Sequence, residues 1–244
     1  MISMVLSGSS KIKQILLIGC GAILLIGSYF AGEYCCHCCG KKKGKITLYY
    51  SDGASSLADR ILINELKIDA NFVAVDLRNK KTDNEEDFYK INALGYVPAV
   101  RFEDGTVLTE NVAIMTYLAE KYGCSKFIGK GFEKYRTLEK MSFVASELHK
   151  LLGAFFTPMN KMEYKAQIGK LEKKLQYVND LLGKQKYFAG DRYTIADMYG
   201  FVILNFASIV AIDLSNYKNI IRFMQEIGSR AAVLQSLKEE GFIR

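Results

Sequence analysis

The chain has 244 residues, half of them apolar, and a formal charge of +7. Its length and apolar content exclude a disordered protein and allow one large domain or two small ones. The charge does not indicate a nucleic-acid-binding surface, because residues 1–45 carry +5 while the other 199 residues carry 27 basic and 25 acidic side chains. We therefore expect no nucleic-acid partner.

An uncharged segment, residues 15–31, has the sequence "ILLIGCGAILLIGSYFA". At about 1.5 Å per residue it could just cross a hydrocarbon layer of about 30 Å. The lysines on both sides favour a membrane-anchored protein whose folded part lies in the cytoplasm, and residues 1–45 would then be the anchor and its linker. The alternative is a cleaved signal peptide and export, because Lys11 and Lys13 resemble a basic n-region.

Four cysteines follow that segment, in the sequence "CCHCC" around His37: Cys35, Cys36, Cys38 and Cys39. Adjacent cysteines point in diverging directions, and zinc sites usually space their ligands as C-x2-C with a second pair further on. We therefore expect no metal. Acylation beside a membrane, disulfide bonding and no role at all remain open.

Residues 46–122 alternate between the strand and helix periods. The predicted order is a strand at 46–50, a helix at 56–66, a strand at 71–77, a short helical stretch ending near Asn92, two strands joined by Asp104-Gly105, and a helix at 111–122. The Asp-Gly pair is a strong hairpin signal. The second strand is so continuously apolar that we expect it to be buried on both faces. This pattern predicts a small mixed sheet with helices packed on it.

Everything after Gly129 has a helical period. One long helix is predicted at 132–154 and a second at 161–182. A third begins after Thr194, which forms a capping box with Asp197. Two shorter helices close the chain. We therefore predict an α/β domain at 46–124 followed by an all-α domain at 130–244.

Two short stretches of the first domain could bind a ligand. Pro98 opens the third long strand, where a cis Val97-Pro98 bond would leave the Val97 backbone free to pair with an extended ligand; the alternative is an edge proline with nothing bound. Glu110 and Asn111 open the next helix. Its N-terminus suits a carboxylate, and Glu110 could hold the ammonium group of the same amino acid. Asn111 could equally be an ordinary cap.

Several segments together resemble the bacterial beta-class glutathione transferases, over about residues 46–242. They are "YYSDGASSLA", "DLRNKKT", "INALGYVPAV", "TENVAIMTYLAEKY", "FVASELHKLL", "LEKKLQYVNDLL" and "FAGDRYTIADMYGFVIL". The resemblance implies a thioredoxin-like domain that binds glutathione and a helical-bundle domain that shapes the pocket for a small electrophile. It implies conjugation in detoxification, with glutathione as the co-substrate, and a homodimer.

The resemblance also implies roles for particular residues. Val97, beside a cis-Pro98, would pair with the cysteinyl unit; Glu110 and Asn111 would hold the γ-glutamyl end, and Lys80 would lie near the glycine carboxylate. The pocket residues on the first long helix would be Ser142, Ser146 and His149. Their i, i+4, i+7 spacing places them on one helix face, which is either a polar pocket wall or a solvated face.

The chain departs from the beta-class pattern Gly-Ala/Ser-Cys-Ser-Leu, because Ser55 stands in the cysteine position of Gly53-Ala54-Ser55-Ser56-Leu57. A serine cannot form a mixed disulfide with glutathione, but its hydroxyl can stabilise a thiolate. We therefore expect Ser55 to stabilise the thiolate and His149 to assist, with Tyr50 as the other candidate hydroxyl. Two further positions depart from the family: Ala93 stands where the family usually has proline, and Phe206 stands where it often has tryptophan.

Two other functions remain open at this stage. One is a glutathione-dependent peroxidase or reductase, which in this family draws on the missing cysteine. The other is a protein that binds glutathione or a partner on the same fold without turnover.

Overall fold

A computed structural model describes residues 44–243 of the chain. Its described strands form one sheet in the order β3-β2-β1-β4-β5. Their bounds are β1 Ile46–Tyr50, β2 Ala70–Asp76, β3 Lys81–Thr82, β4 Ala99–Arg101 and β5 Val107–Thr109. Strand β1 lies parallel to β2 and antiparallel to β4, and the two outer pairs are antiparallel. The predicted mixed sheet is confirmed, and β3 is an additional strand in the loop predicted to be polar.

The expectation that the second strand is buried on both faces is wrong. In β2 only Val75 is buried, and the other side chains are partly or largely exposed. The reason is that the outer neighbour β3 has only two residues and pairs with β2 at Val75 and Asp76. Most of β2 therefore lies at the edge of the sheet, where an apolar run is not fully covered.

The helices have the following bounds: α1 Leu57–Leu66, α2 Asn111–Gly123, α3 Phe132–Phe143, α4 Lys150–Gly153, α5 Lys161–Lys184, α6 Ile195–Ile209, α7 Lys218–Gly228 and α8 Ala231–Glu239. A short 3-10 turn covers Phe88–Lys90, where the short helical stretch was predicted. The predicted long helix at 132–154 is interrupted in its geometry. Residues Val144–His149 form a π-helical turn between α3 and α4, a feature that is frequent at functional sites.

The capping box predicted at the start of α6 is confirmed. The Asp197 carboxylate accepts hydrogen bonds from the Thr194 N–H at 2.7 Å, the Thr194 hydroxyl at 2.9 Å and the Phe188 N–H at 2.7 Å. Burial raises the pKa of Asp197 to about 7. These bonds fix the start of a helix that is enclosed along almost its whole length, so α6 is the central helix of the second half.

The β-α-β unit followed by β-β-α is the thioredoxin-like arrangement that was expected, and the residues after it are helical. The boundary between 46–124 and 130–244 stays a prediction. Within residues 44–243, no helix combines the length and apolar character needed to cross a bilayer. The segment at 15–31 and the four clustered cysteines lie outside the described residues.

Candidate functional site

A cavity of about 650 Å³ lies between the two halves of the described fold. One side, the polar wall, consists of residues 51–55 together with Val97, Pro98, Glu110 and Asn111. The opposite side, the aromatic wall, consists of His149, Phe156, Tyr199 and Phe206. Phe242, near the end of the chain, also lines the cavity. The cavity thus joins hydrogen-bonding groups on one side to an apolar surface on the other.

Six of the ten predicted site residues line this cavity: Ser55, Val97, Pro98, Glu110, Asn111 and His149. They come from three loops or helix starts of the sheet half and from the π-helical turn. The other four, Tyr50, Lys80, Ser142 and Ser146, are absent from its lining. Sequence segments up to about 95 residues apart therefore meet at one site, as the resemblance requires.

The two adjacent serines before α1 have different surroundings. Ser55 lines the cavity, and its Oγ lies 2.9 Å from the side-chain amide of Asn111. The Ser56 side chain is fully buried; its Oγ donates to the Ser51 carbonyl and accepts from the Ser51 N–H, both at 3.3 Å. Ser56 therefore stabilises the loop, and only Ser55 can offer its hydroxyl to a ligand.

The loop before β4 carries backbone groups into the cavity. The Val97-Pro98 peptide bond is cis, and β4 begins only at Ala99. Among the described residues, neither the N–H nor the C=O of Val97 has a hydrogen-bond partner. Because Val97 is only partly buried and lines the cavity, these two groups are suited to pair with the backbone of an extended ligand.

Glu110 sits in an unusual backbone conformation at the start of α2. Its φ is +72°, in a region that costs a residue with a side chain on the order of 1–3 kcal/mol. Its carboxylate is exposed and accepts no hydrogen bond within residues 44–243, although Glu110 lines the cavity. Such strain often accompanies a ligand site, and here a free carboxylate lies next to the N-terminus of α2.

The four predicted residues outside the lining have other contacts. The Tyr50 ring packs under the Arg60 guanidinium, 4.2 Å from its centre. The Lys80 ammonium donates to the Gly95 carbonyl at 2.9 Å. Ser142 and Ser146 are exposed, and the Ser146 hydroxyl donates to the Ser142 carbonyl at 2.9 Å. On the helix face predicted from the i, i+4, i+7 spacing, only His149 reaches the cavity.

His149 joins the aromatic wall through a buried partner. Its Nδ1 lies 2.8 Å from the Tyr199 hydroxyl, and its ring meets the Phe206 ring edge-on at 5.7 Å. Burial lowers the pKa of His149 below its usual value and raises the pKa of the Tyr199 hydroxyl. Around neutral pH the imidazole is therefore neutral, and it can exchange a hydrogen bond with a ligand without adding a charge.

Two groups of functional residues escaped the sequence analysis. Tyr199 lies within an apolar helical run, where an aromatic side chain is normally a core residue. Arg60 lies on α1 between apolar residues; its guanidinium is 3% exposed and bonds to Glu240 at 2.9 Å. Glu240 also accepts from the Gly53 N–H at 2.9 Å, so it fixes the loop of the polar wall. The only sequence signal for this link was a charged residue inside an apolar face.

Two family models match the chain: "Glutathione S-transferase, N-terminal domain" at residues 57–121 and "Glutathione S-transferase, C-terminal domain" at residues 143–231. The chain is 40% identical over 197 residues to glutathione S-transferase GstA of Escherichia coli O157:H7, covering 80% of this chain and 98% of that protein. A sphingomonad glutathione S-transferase solved with glutathione has a TM-score of 0.77 and 34% identity, covering 81% of this chain and 100% of its own. A bacterial beta-class transferase from Sphingomonas chungbukensis has a TM-score of 0.76, 34% identity and the same coverage.

These comparisons correct the predicted localisation. The membrane-anchored protein expected from residues 15–31, with export as its alternative, is wrong. The relatives just described are matched along 98–100% of their own lengths. Within residues 44–243 of this chain, which share their fold, no helix could cross a bilayer.

Proposed function

Because the chain belongs to the glutathione S-transferase family, we propose that it conjugates the thiolate of glutathione to small electrophiles, with Ser55 stabilising the thiolate. The observation that carries this proposal is the pairing of the two walls in one cavity. A peptide with a charged end needs directional partners, and an apolar electrophile needs an apolar surface. The cavity offers each of these on opposite sides.

The polar wall suits glutathione at three points. The unpaired backbone of Val97 in the cavity lining suits the cysteinyl unit. The exposed carboxylate of Glu110 suits the ammonium of the γ-glutamyl end, while the N-terminus of α2 beside it suits that end's carboxylate. The Lys80 ammonium donates a hydrogen bond to the Gly95 carbonyl and would have to leave that partner to reach the glycine carboxylate. We therefore expect Lys80 to contribute least to glutathione binding.

Activation of the thiol demands only modest stabilisation. A free thiol has a pKa of about 8.5, and lowering it by about two units requires about 2.7 kcal/mol. A hydrogen bond to a charged group contributes about 1.5–3 kcal/mol, and a helix N-terminus about 0.3–1 kcal/mol. Ser55, which lies in the cavity lining just before α1, can supply the hydrogen bond, and the N-terminus of α1 can supply the second contribution. The protein then needs no nucleophile of its own.

The aromatic wall faces the thiol position from the other side. Phe156 and Phe206 meet edge-on at 5.3 Å, so they form a continuous apolar surface for an electrophile. The neutral His149 lies at its edge, where it can donate to or accept from a polar substituent of the electrophile. Its proposed role is to assist the electrophile, and detoxification of small apolar electrophiles is the function that this surface suits.

The experiment is conjugation of glutathione to a generic aryl halide by the purified full chain, with glutathione affinity measured by calorimetry. We expect saturable glutathione binding and conjugation. We expect Ser55→Ala to raise the pKa of the bound thiol by about one unit, from about 6.5 to about 7.5, which lowers the thiolate fraction and with it conjugation at neutral pH roughly threefold, and to leave glutathione affinity nearly unchanged. Ser56→Ala is the matched control: it removes a hydroxyl bonded to Ser51, so it should affect loop stability more than thiol acidity.

The same experiment separates the other two functions. Glutathione binding without conjugation across a panel of electrophiles would support a non-catalytic binding protein. Reduction of peroxide or disulfide by the native chain would support a reductase; we expect such activity only in Ser55→Cys. Absence of glutathione binding at millimolar concentration would contradict the proposal altogether.

We also propose a homodimer, the state typical of this family. Two aromatic side chains on α3, Phe132 and Tyr135, are 75% and 65% exposed; at positions i and i+3 they share one helix face, which a partner could cover. Light scattering on the purified full chain tests this proposal, and a monomeric mass would contradict it.

A further inference from the structure

The side chain of Asn111 bridges Ser55 and the buried carboxyl group of Asp59. In the amide orientation that pairs all its atoms, Nδ2 donates to Asp59 Oδ2 at 2.7 Å and to the Ser55 carbonyl at 3.1 Å. Oδ1 then accepts from the Ser55 hydroxyl at 2.9 Å. The opposite orientation would place Oδ1 against two acceptors, so Asp59 and the Ser55 backbone together fix the amide.

This orientation determines where the Ser55 proton lies. An amide oxygen has no proton to give, so the bond between Ser55 Oγ and Asn111 Oδ1 requires the serine proton. The three side chains are 0% (Asp59), 5% (Ser55) and 6% (Asn111) exposed, so water does not readily replace these partners. Ser55 therefore turns an oxygen lone pair, and no proton, towards the rest of the cavity.

A thiol and a thiolate make opposite demands on such a hydroxyl. A thiol can donate to the Ser55 oxygen while the serine stays bonded to Asn111. A thiolate needs the serine proton, so the hydroxyl must turn away and leave Asn111 Oδ1 unpaired in a buried place, which is costly. Asn111 thus competes with the sulfur for one proton.

We propose that Asn111, held by Asp59, is a positioning residue that withholds the Ser55 proton and so keeps bound glutathione less acidic than Ser55 alone would make it. The inference rests on the proposed function. It means that the ground state favours the bound thiol, and that the serine proton turns to the sulfur as the thiolate forms.

Near neutral pH, none of the charged and titratable groups around Asp59 is expected to change its protonation state and so to shift the pKa of the bound thiol in place of Asn111. From α6, the Tyr199 hydroxyl is held by His149, and burial raises its pKa. From α8, Glu239 and Glu240 pair with Arg60, the residue next to Asp59. Glu110 lies exposed at the start of α2, and the Tyr50 ring of β1 lies under the same guanidinium. Burial raises the pKa of Asp59 itself, but Oδ2 can accept from Asn111 in either protonation state.

The test measures the pKa of the bound thiol from the ultraviolet absorbance of the thiolate, at saturating glutathione, in the full chain. We expect Asn111→Ala to lower that pKa by roughly 0.5–1 unit, the equivalent of one net hydrogen bond, and Ser55→Ala to raise it. In the Ser55→Ala background, Asn111→Ala should cause no further shift, because no serine proton remains to be released.

Asp59 and a matched asparagine provide further readouts. Asp59→Asn keeps an acceptor for Asn111 and should leave the thiol pKa as in the native chain, whereas Asp59→Ala should lower it by part of the Asn111→Ala shift. Asn92 is the matched control: it is also a buried cavity asparagine, at 7% exposure, but it bonds the Tyr96 carbonyl and the Leu94 N–H. Asn92→Ala should leave the thiol pKa unshifted.

Asp59 Oδ1 already lacks a hydrogen-bond partner among the described residues, so removal of Asn111 alone leaves the whole buried carboxyl group unpaired and could prevent folding. The double variant Asp59→Ala/Asn111→Ala removes both groups and should show the same lowered thiol pKa. An unchanged or raised pKa in the folded Asn111 variants, or a shift that persists without Ser55, would overturn the inference and leave the proposed function standing. No glutathione binding by the native chain would overturn both.

Discussion

The polar and aromatic walls of the cavity are held in place by different interactions. The polar wall depends on directional bonds: Glu240 fixes Gly53, Asn111 fixes Ser55, and the Val97 backbone is left open. The aromatic wall depends mainly on ring contacts, such as those from Phe206 to His149 at 5.7 Å and to Phe156 at 5.3 Å, together with one hydrogen bond between His149 and Tyr199 at 2.8 Å. The comparison teaches that a ligand of fixed chemistry needs fixed donors and acceptors, while a variable apolar ligand needs only shape and area.

The largest expected effect comes from breaking what fixes the polar wall. Arg60→Ala leaves the buried Glu240 carboxylate without its cation and removes the guanidinium that stacks on Tyr50 and Phe72. Breaking a buried pair in this way typically costs about 3–5 kcal/mol. We expect the free energy of unfolding, measured by urea denaturation, to fall by about that amount, with weaker glutathione binding as the Gly53 loop loses its anchor.

A surface arginine is the matched control for that experiment. Arg192 pairs with Glu133 at 3.0 Å, but the two side chains are 57% and 64% exposed. Such pairs contribute little because water and salt screen them, so Arg192→Ala should hardly change stability. If Arg60→Ala and Arg192→Ala lowered the free energy of unfolding equally, Arg60 would not anchor the polar wall.

The aromatic wall should respond in catalysis more than in stability. Phe206→Leu keeps an apolar side chain but removes the ring contacts with His149 and Phe156, which are worth about 0.5–1.5 kcal/mol each in such pairs. We expect kcat/KM for an aromatic electrophile to fall roughly two- to tenfold, with the KM for glutathione unchanged. Steady-state kinetics with each substrate varied in turn would measure both.

Phe143→Leu is the control for ring loss away from the cavity. Phe143 meets Tyr177 at 5.0 Å, and neither residue lines the cavity. A similar fall in kcat/KM from Phe143→Leu, or a raised KM for glutathione in Phe206→Leu, would show that the two walls do not divide the substrates as proposed.

The same contrast explains what could be predicted from the sequence. The strands, the Asp104-Gly105 hairpin and the capping box at Thr194 depend on local chemistry, and each is present in the structure. Ser55, Val97 and Asn111 were predicted as site residues from short motifs at strand ends and helix starts, and all three line the cavity; such motifs can be recognised without tertiary information.

The remainder depends on contacts between distant segments. Tyr199 joins His149 across 50 positions of the chain, and Glu240 reaches Gly53 across 187; no local pattern records such a pairing. Ser142 and Ser146 share a helix face with His149 by ideal α-helical spacing, but both are exposed, and this stretch lines the cavity through Ala145, His149 and Gly153 instead. Only the third residue of the predicted stripe lines the cavity.

The smallest expected effect concerns His149 and pH. Because burial lowers its pKa in the folded state, the unfolded chain binds a proton first as the pH falls through the ordinary histidine value of about 6.5. Stability from this residue is therefore complete above that pH and is lost as the pH falls towards the folded-state pKa. We expect the difference in unfolding free energy between the native chain and His149→Gln to shrink from pH 7.5 to pH 5.5, roughly one unit either side of that value. The other histidine, His37, is present in both chains and cancels. A pH-independent difference would mean that His149 is not buried as the aromatic wall requires.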